Sequence, residues 1–176
     1  MKLYLVNYRH KDSMPCKSIT ELPLEEAKKL AKQLYSGSSC RAHRRFGAEF
    51  ERYYGDRRKA EQWMYDMFCE LGGKPETKHP YYFTVQLSEA LSENYGEYRM
   101  IQIDLDEIAD SDISFTLGDS MALYYTEKLH QVYTKTDLLK QLELYDNDVN
   151  KMLEHKKEQA VFIEAQLWND KYLKII

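Results

Sequence analysis

Residues 79–121 read HPYYFTVQLSEALSENYGEYRMIQIDLDEIADSDISFTLGDSM, and the order of elements in this stretch decides the fold class. After His79-Pro80, whose pyrrolidine ring cannot continue a preceding helix, Tyr81 to Gln86 is dense in aromatic and β-branched residues that suit a pleated, half-buried surface. Leu87, Ala90 and Leu91 then change to helical spacing, with Ser88 placed to cap and Gly96 to terminate a short helix. From Arg99 to Leu105 the pattern alternates strictly, with Ile101, Ile103 and Leu105 on one face and Met100, Gln102 and Asp104 on the other. Ile113 to Leu117 makes a third short strand, closed by Gly118-Asp119-Ser120, where glycine tolerates the positive φ that a tight reversal often needs. The stretch therefore reads as strand, helix, strand, acidic turn, strand.

Working outward, Lys2 to Arg9 alternates Leu3 and Leu5 with Tyr4, Val6 and Tyr8 and reads as the first strand. Pro23 opens a helix with the stripe Leu24, Ala27, Leu30, Ala31 and Leu34, ended by Ser36-Gly37-Ser38-Ser39. Asp56 is placed to cap the strongest helix, whose stripe is Ala60, Trp63, Met64, Met67, Phe68 and Leu71 before Gly72-Gly73. Beyond residue 121, Thr134 and Asp137 form a capping box that opens a helix through Leu138, Leu139, Leu142 and Tyr145. Asp146-Asn147-Asp148 interrupts that helix or caps another running to about Lys157. Ala160 to Trp168 alternates, with Val161, Ile163, Ala165 and Leu167 on one face and Phe162, Glu164, Gln166 and Trp168 on the other. Tyr172 to Ile176 reads as a last edge strand. The pattern predicts one α+β domain over residues 1–176. Its sheet is mixed or largely antiparallel, from strands near 2–9, 81–86, 98–105, 113–117 and 160–168, packed by three or four helices.

A chain of 176 residues, 43% hydrophobic, supports one core. A formal charge of −4 argues against bulk polyanion binding, so any nucleic-acid contact must be local. No apolar run reaches the ~18 residues that span a bilayer, and MKLYLVNYRH has no signal-peptide pattern, which predicts a cytoplasmic protein without membrane contact. Cys16, Cys40 and Cys69 are odd in number and widely spaced, which suits reduced thiols.

Five groups of residues could carry chemistry. Asp104, Asp106, Glu107, Asp110 and Asp112 depart from the calcium-loop pattern and read as a solvated strand end and turn. Cys40-x-x-His43, with Cys16 and His10, offers one close pair where structural zinc sites usually use two, so no metal is expected. As a nucleophile, Cys69 lies beside a buried helical stripe and reads as inert packing; Cys16 and Cys40 lie in loops. Residues 41–59 concentrate Arg41, Arg44, Arg45, Arg52, Arg57, Arg58 and Lys59 among Phe46, Phe50, Tyr53 and Tyr54, a mixture that can grip phosphate and stack on bases. The fifth group joins Arg9 or His10 on the first strand, Tyr81, Tyr82 and Thr84 on the central strand, and Glu164 on the late strand. If those strands meet, they place a cationic anchor, an aromatic shelf and a carboxylate in one cleft, able to hold a nicotinamide ribose and stabilise an oxocarbenium-like transition state.

The blocks HPYYFT, SFTLGDSM and FIEAQLW, spread over residues 79–168, resemble an uncharacterised bacterial and phage-associated family with the same blocks in the same order. A more distant resemblance is to the ADP-ribosyltransferase fold, carried by Arg9 or His10, by Tyr82-Phe83-Thr84 before Ala90-Leu91, and by Glu164. In many such enzymes a Gln or Glu precedes the catalytic Glu by two residues, whereas here position 162 is Phe and Gln166 follows. The resemblance implies an NAD cleft with Glu164 as the catalytic carboxylate orienting ribose and Tyr81 or Tyr82 stacking on nicotinamide. The competing expectation is a non-catalytic binding module that meets a protein or nucleic acid through a tyrosine-rich surface, from 15 tyrosines, and the basic 41–59 segment.

Overall fold

The computed structural model describes residues 2–10, 18–36, 41–95, 98–126 and 131–173. In chain order the elements are β1 (Tyr4–His10), α1 (Leu24–Ser36), α2 (Phe50–Glu70), β2 (Tyr81–Val85), α3 (Glu89–Tyr95), β3 (Tyr98–Asp104), β4 (Ile113–Leu117), α4 (Ser120–Tyr125), β5 (Tyr133–Thr134), α5 (Lys135–Glu143), α6 (Val149–His155) and β6 (Ile163–Leu167). The strands form one antiparallel sheet in the order β3-β1-β2-β6-β4-β5, and the chain is a single α+β domain as its patterning predicts.

Alternation along the strands gives the sheet two different faces. Leu5, Phe83, Ile103, Ile113, Phe115, Ile163, Ala165 and Leu167 share one buried cluster with Leu138 and Leu142 of α5 and Val149 and Met152 of α6. On the opposite face α2 lays Met64 and Phe68 against Trp168, whose ring stacks on Phe68 at 6.2 Å and meets Tyr65 edge-on at 5.7 Å. α1 contributes Ala27 and Ala31 to a third cluster with Phe46, Phe50 and Tyr54.

The turn chemistry is as expected at several points. Thr134 and Asp137 form the capping box of α5, Asp148 caps α6, and Gly118 takes φ +86° after β4. Ser88 immediately precedes α3, while Gly37 to Ser39 and Gly96 lie outside the described residues.

Other expectations are corrected. Asp56 does not cap α2, which begins two turns earlier at Phe50; Asp56 is an interior position that pairs with Arg52 and Lys59 and accepts from the Tyr125 hydroxyl at 3.0 Å. α4 replaces the plain turn expected after Gly118, because Asp119 accepts from the Met121 N–H at 2.8 Å and caps it. Val161 is 63% exposed, since β6 starts only at Ile163. Where a last edge strand was expected, Asp170–Leu173 is a 3-10 turn, and residues 174–176 lie outside the described residues.

That turn exists because Asp112 is buried, in contrast to the solvated acidic run expected there. Its carboxylate accepts from Lys171 Nζ at 2.6 Å and from the Tyr172 hydroxyl at 2.7 Å. Burial alone would push the Asp112 carboxyl up, but these donors outweigh it and hold it below the usual carboxylate range.

Candidate functional site

β1 and β2 pair only at Leu5–Val85 and Val6–Thr84, although β1 continues to His10 and β2 begins at Tyr81. Beyond those pairs the strands part, and the gap is crossed by a side chain: Asn7 Nδ2 donates to the Tyr82 carbonyl at 2.8 Å. A cavity of about 540 Å³ opens at this fork. That volume lies in the range of small-molecule sites, roughly 300–1,000 Å³. Its floor comes from Val6 to Arg9, Pro80 to Thr84, Phe162 and Glu164; its walls come from Leu30 and Leu34 of α1, Tyr53 and Arg57 of α2, Leu91 and Tyr95 of α3, and His43, Arg45 and Phe46 of the 3-10 segment Arg41–Phe46.

The polar floor follows from strand register. Thr84 and Thr116 flank Glu164, and Tyr82 and Ser114 flank Gln166, so one face of three adjacent strands carries two rows of polar groups. The direction of each hydrogen bond can be read from groups with only one possible role. The Trp168 indole can only donate, and it does so to Ser114 Oγ at 2.8 Å. Ser114 therefore passes its own proton to Gln166 Oε1 at 3.0 Å. This orients the Gln166 amide so that Nε2 donates to Glu164 Oε1 and to Thr116 Oγ1, each at 3.1 Å.

From the other side, the Arg57 guanidinium, also donor-only, gives a hydrogen bond to Ser120 Oγ at 3.2 Å. Glu164 thus accepts from the directed Gln166 amide and retains lone pairs for further donors. Burial is the chief influence on its carboxyl and, aided by the nearby Asp119 charge, pushes it above the usual range against the pull of Arg57, Ser120 and Gln166.

Arg57 lies between two buried carboxylates. Its guanidinium stacks on the Tyr82 ring at 3.8 Å and its Nε lies 3.5 Å from Glu61 Oε1. Glu61 is 1% exposed and also accepts from the hydroxyls of Thr20 and Tyr82, each at 3.0 Å, while its second oxygen meets His79 Nδ1 at 2.6 Å. Burial is the chief influence on the Tyr82 phenol; Arg57 pulls the other way, but with the adjacent Glu61 and Glu164 charges added, burial pushes it well above its ordinary value, so it acts as a neutral donor.

Arg9, Thr84, Tyr82 and Glu164 all line the one cavity, as expected for strands that meet. Three details differ from expectation. The Tyr81 ring packs against the apolar cluster on the opposite sheet face. The Tyr82 ring has a face covered by Arg57, so the shelf it offers is already shared. Thr84 directs its hydroxyl to the carbonyls of Val6 and Gln86 at 3.3 and 3.0 Å, away from Glu164. His10 ends β1 opposite Tyr98, and its side chain lies outside the described residues.

Of the basic residues in 41–59, Arg41, Arg44, Arg45, Arg52, Arg58 and Lys59 are exposed, and Arg57 alone is buried. Arg57 is buried at the cavity, Arg52 and Lys59 pair with Asp56, Arg58 donates to the Tyr54 hydroxyl at 2.8 Å, and Arg45 sits over Phe46 and Tyr53. Among the described tyrosines, Tyr35, Tyr98 and Tyr125 are exposed, Tyr8 and Tyr54 are buried, and the rest are half-buried. Cys69 is exposed rather than packed, and Cys16 and Cys40 lie outside the described residues.

Sequence reading missed Asn7, Glu61 and Ser120, and placed Arg57 only within the basic segment. Asn7 Oδ1 is buried at the fork without a hydrogen-bond partner among the described residues. The one visible signal was Glu164-x-Gln166, whose two-residue spacing puts the amide beside the carboxylate on one strand face. No helix of the described residues is long and apolar enough to cross a membrane. Compared with protein-family models, curated proteins and solved structures, the chain matches none.

Proposed function

We propose that the fork between β1 and β2 binds a nucleotide of the NAD type and that the protein is an ADP-ribosyltransferase-like enzyme with Glu164 as its catalytic carboxylate. The observation that carries this reading is that β1, β2 and β6 lie side by side and direct Arg9, Tyr82, Thr84 and Glu164 to a single cavity. The chemistry of the lining fits such a ligand. Asn7 Oδ1 offers a buried acceptor for a carboxamide N–H, Arg9 and Arg45 face the cavity with positive charge for phosphate, and Tyr53, Tyr95 and Phe46 supply aromatic surface.

In this reading Glu164 sets a negative charge against the cation that develops on ribose as the bond to nicotinamide breaks. It also takes the proton of the incoming acceptor as the new bond to ribose forms. Its alignment by Gln166 means that little reorganisation is needed at that moment.

The test is calorimetric titration with NAD⁺ of the wild-type protein, Asn7→Ala and Glu164→Gln, together with an assay for released nicotinamide. Saturable binding, weakened on the order of tenfold by Asn7→Ala, with nicotinamide release abolished by Glu164→Gln, is the expected result. Folded proteins that give no heat at millimolar NAD⁺ overturn the reading.

A further inference from the structure

We propose that Trp168, outside the cavity, is a positioning residue of this site: its indole N–H fixes, through Ser114, which way round the Gln166 amide stands, so that Glu164 meets a donor there. The role in the reaction rests on the catalytic reading of Glu164, but the first test needs no ligand. Hydrogen bonds link Trp168, Ser114, Gln166, Thr116 and Glu164 into one relay. Of these side chains only Glu164 lines the cavity, and the other four are completely buried. A carboxamide carries a donor and an acceptor of nearly the same shape, so packing alone does not choose between its two orientations. The choice falls to the bonds at its ends.

Trp168 can only donate, and at 2.8 Å it occupies Ser114 as an acceptor, which turns the Ser114 proton to Gln166 Oε1 at 3.0 Å. On the other side Thr116 gives its proton to the Gly118 carbonyl at 3.1 Å, so it meets Gln166 Nε2 as an acceptor. The reversed amide would set Oε1 against the Glu164 carboxylate and the Thr116 lone pairs, and would leave the Ser114 proton buried without an acceptor. As it stands, the amide donates to Glu164 at 3.1 Å and favours the ionised carboxylate. Without the indole, Ser114 is free to turn and accept, and the amide can then reverse to accept from a protonated Glu164. The charged and titratable groups that face Glu164 are Arg57 on α2, Tyr82 on β2 and Asp119 before α4. Each has partners outside the relay, Ser120 and Glu61 for Arg57, Glu61 for Tyr82 and the Met121 N–H for Asp119, so a change at Trp168 leaves their bonds in place.

The experiment is a carboxyl ¹³C titration of Glu164 in the ligand-free protein. Trp168→Phe keeps an aromatic ring beside Phe68 and loses the N–H; the midpoint is expected to rise on the order of one pH unit, because the protonated form gains the reversed amide. Should Trp168→Phe fail to fold, Ser114→Ala breaks the same relay and carries the same expectation. Phe68→Leu disturbs the ring stacked on Trp168 but spares the indole N–H, and is expected to titrate as the wild type. An unchanged midpoint in a folded Trp168→Phe or Ser114→Ala, or an equal rise in Phe68→Leu, overturns the proposal. In the nicotinamide-release assay the acid limb of the pH profile is expected to move up with the midpoint, whereas a loosened fold would lower the rate at every pH. If the midpoint rises as expected while the wild-type protein gives no heat with NAD⁺, the positioning role stands and the nucleotide reading fails.

Discussion

The two faces of the sheet use the same strands for opposite purposes. On the side of α5 and α6, Phe115, Ile163, Ala165 and Leu167 are fully buried and wholly apolar. One residue along each strand, on the side of α2, Ser114, Thr116, Glu164 and Gln166 are also buried, yet every one is polar. The first face gains stability from area removed from water, and the second must satisfy each donor and acceptor within the protein or lose stability. This pairing teaches that burial alone does not mark a core. A buried face whose polar groups are aligned by directed bonds, and which opens into a cavity, is a prepared surface.

Substitutions that treat the faces differently sharpen the comparison. The largest effect is expected for Phe115→Ala on the apolar face, a loss of about 3–5 kcal/mol by denaturant unfolding, because the void left beneath α5 cannot collapse. NAD⁺ affinity of the folded fraction is expected to be unchanged.

On the polar face, Arg57→Met leaves Glu61 and Glu164 without their shared cation and is expected to cost roughly 3 kcal/mol. Because the harm lies in the stranded carboxylate, Arg57→Met combined with Glu61→Gln is expected to cost less than the sum of the two single changes. Strict additivity in that double-mutant cycle would mean that the two groups do not form one network.

Glu164→Gln is expected to have the smallest effect. The carboxyl is pushed up on folding, so the folded protein binds its proton more tightly than the unfolded chain does. Its contribution is therefore most favourable below the ordinary carboxylate value and is lost as pH rises through the folded value. Removing the charge leaves Arg57 with Glu61 and Ser120, so stability at pH 7 is expected to be unchanged or higher, and flatter with rising pH, while nicotinamide release disappears. A clear loss of stability at pH 7 would make Glu164 a structural ion partner, and the two faces would then differ in polarity but not in purpose.

Much of this arrangement is legible in the sequence, but unevenly. Alternation in Arg99 to Leu105 and in Ile163 to Leu167 sorts residues onto faces, because a period of two is a property of the extended backbone itself. The Thr134 and Asp137 box is local chemistry and is read correctly for the same reason. Asp56 misleads because a cap-forming residue type is equally at home inside a helix when its carboxylate meets cations at i−4 and i+3, as it does at Arg52 and Lys59. The C-terminal segment misleads because Tyr172 is drawn to Asp112 across 60 positions, a bond no local pattern announces.

What the sequence by itself determined is which residues could share a face: the period of each strand, the caps of α5 and α6, and the glycine turn at Gly118. What only the tertiary structure decided is which faces meet and where a proton points. The parting of β1 from β2 after two pairs, the seating of Arg57 beside Glu61 and Ser120, and the turning of the Thr84 hydroxyl to backbone carbonyls all depend on strand order and on α2 and α4 closing over the sheet. The physical reason is range. Periodicity and capping are set by neighbours a few residues apart, whereas a buried hydrogen bond takes its direction from whichever donor-only or acceptor-only group the fold brings to its far end.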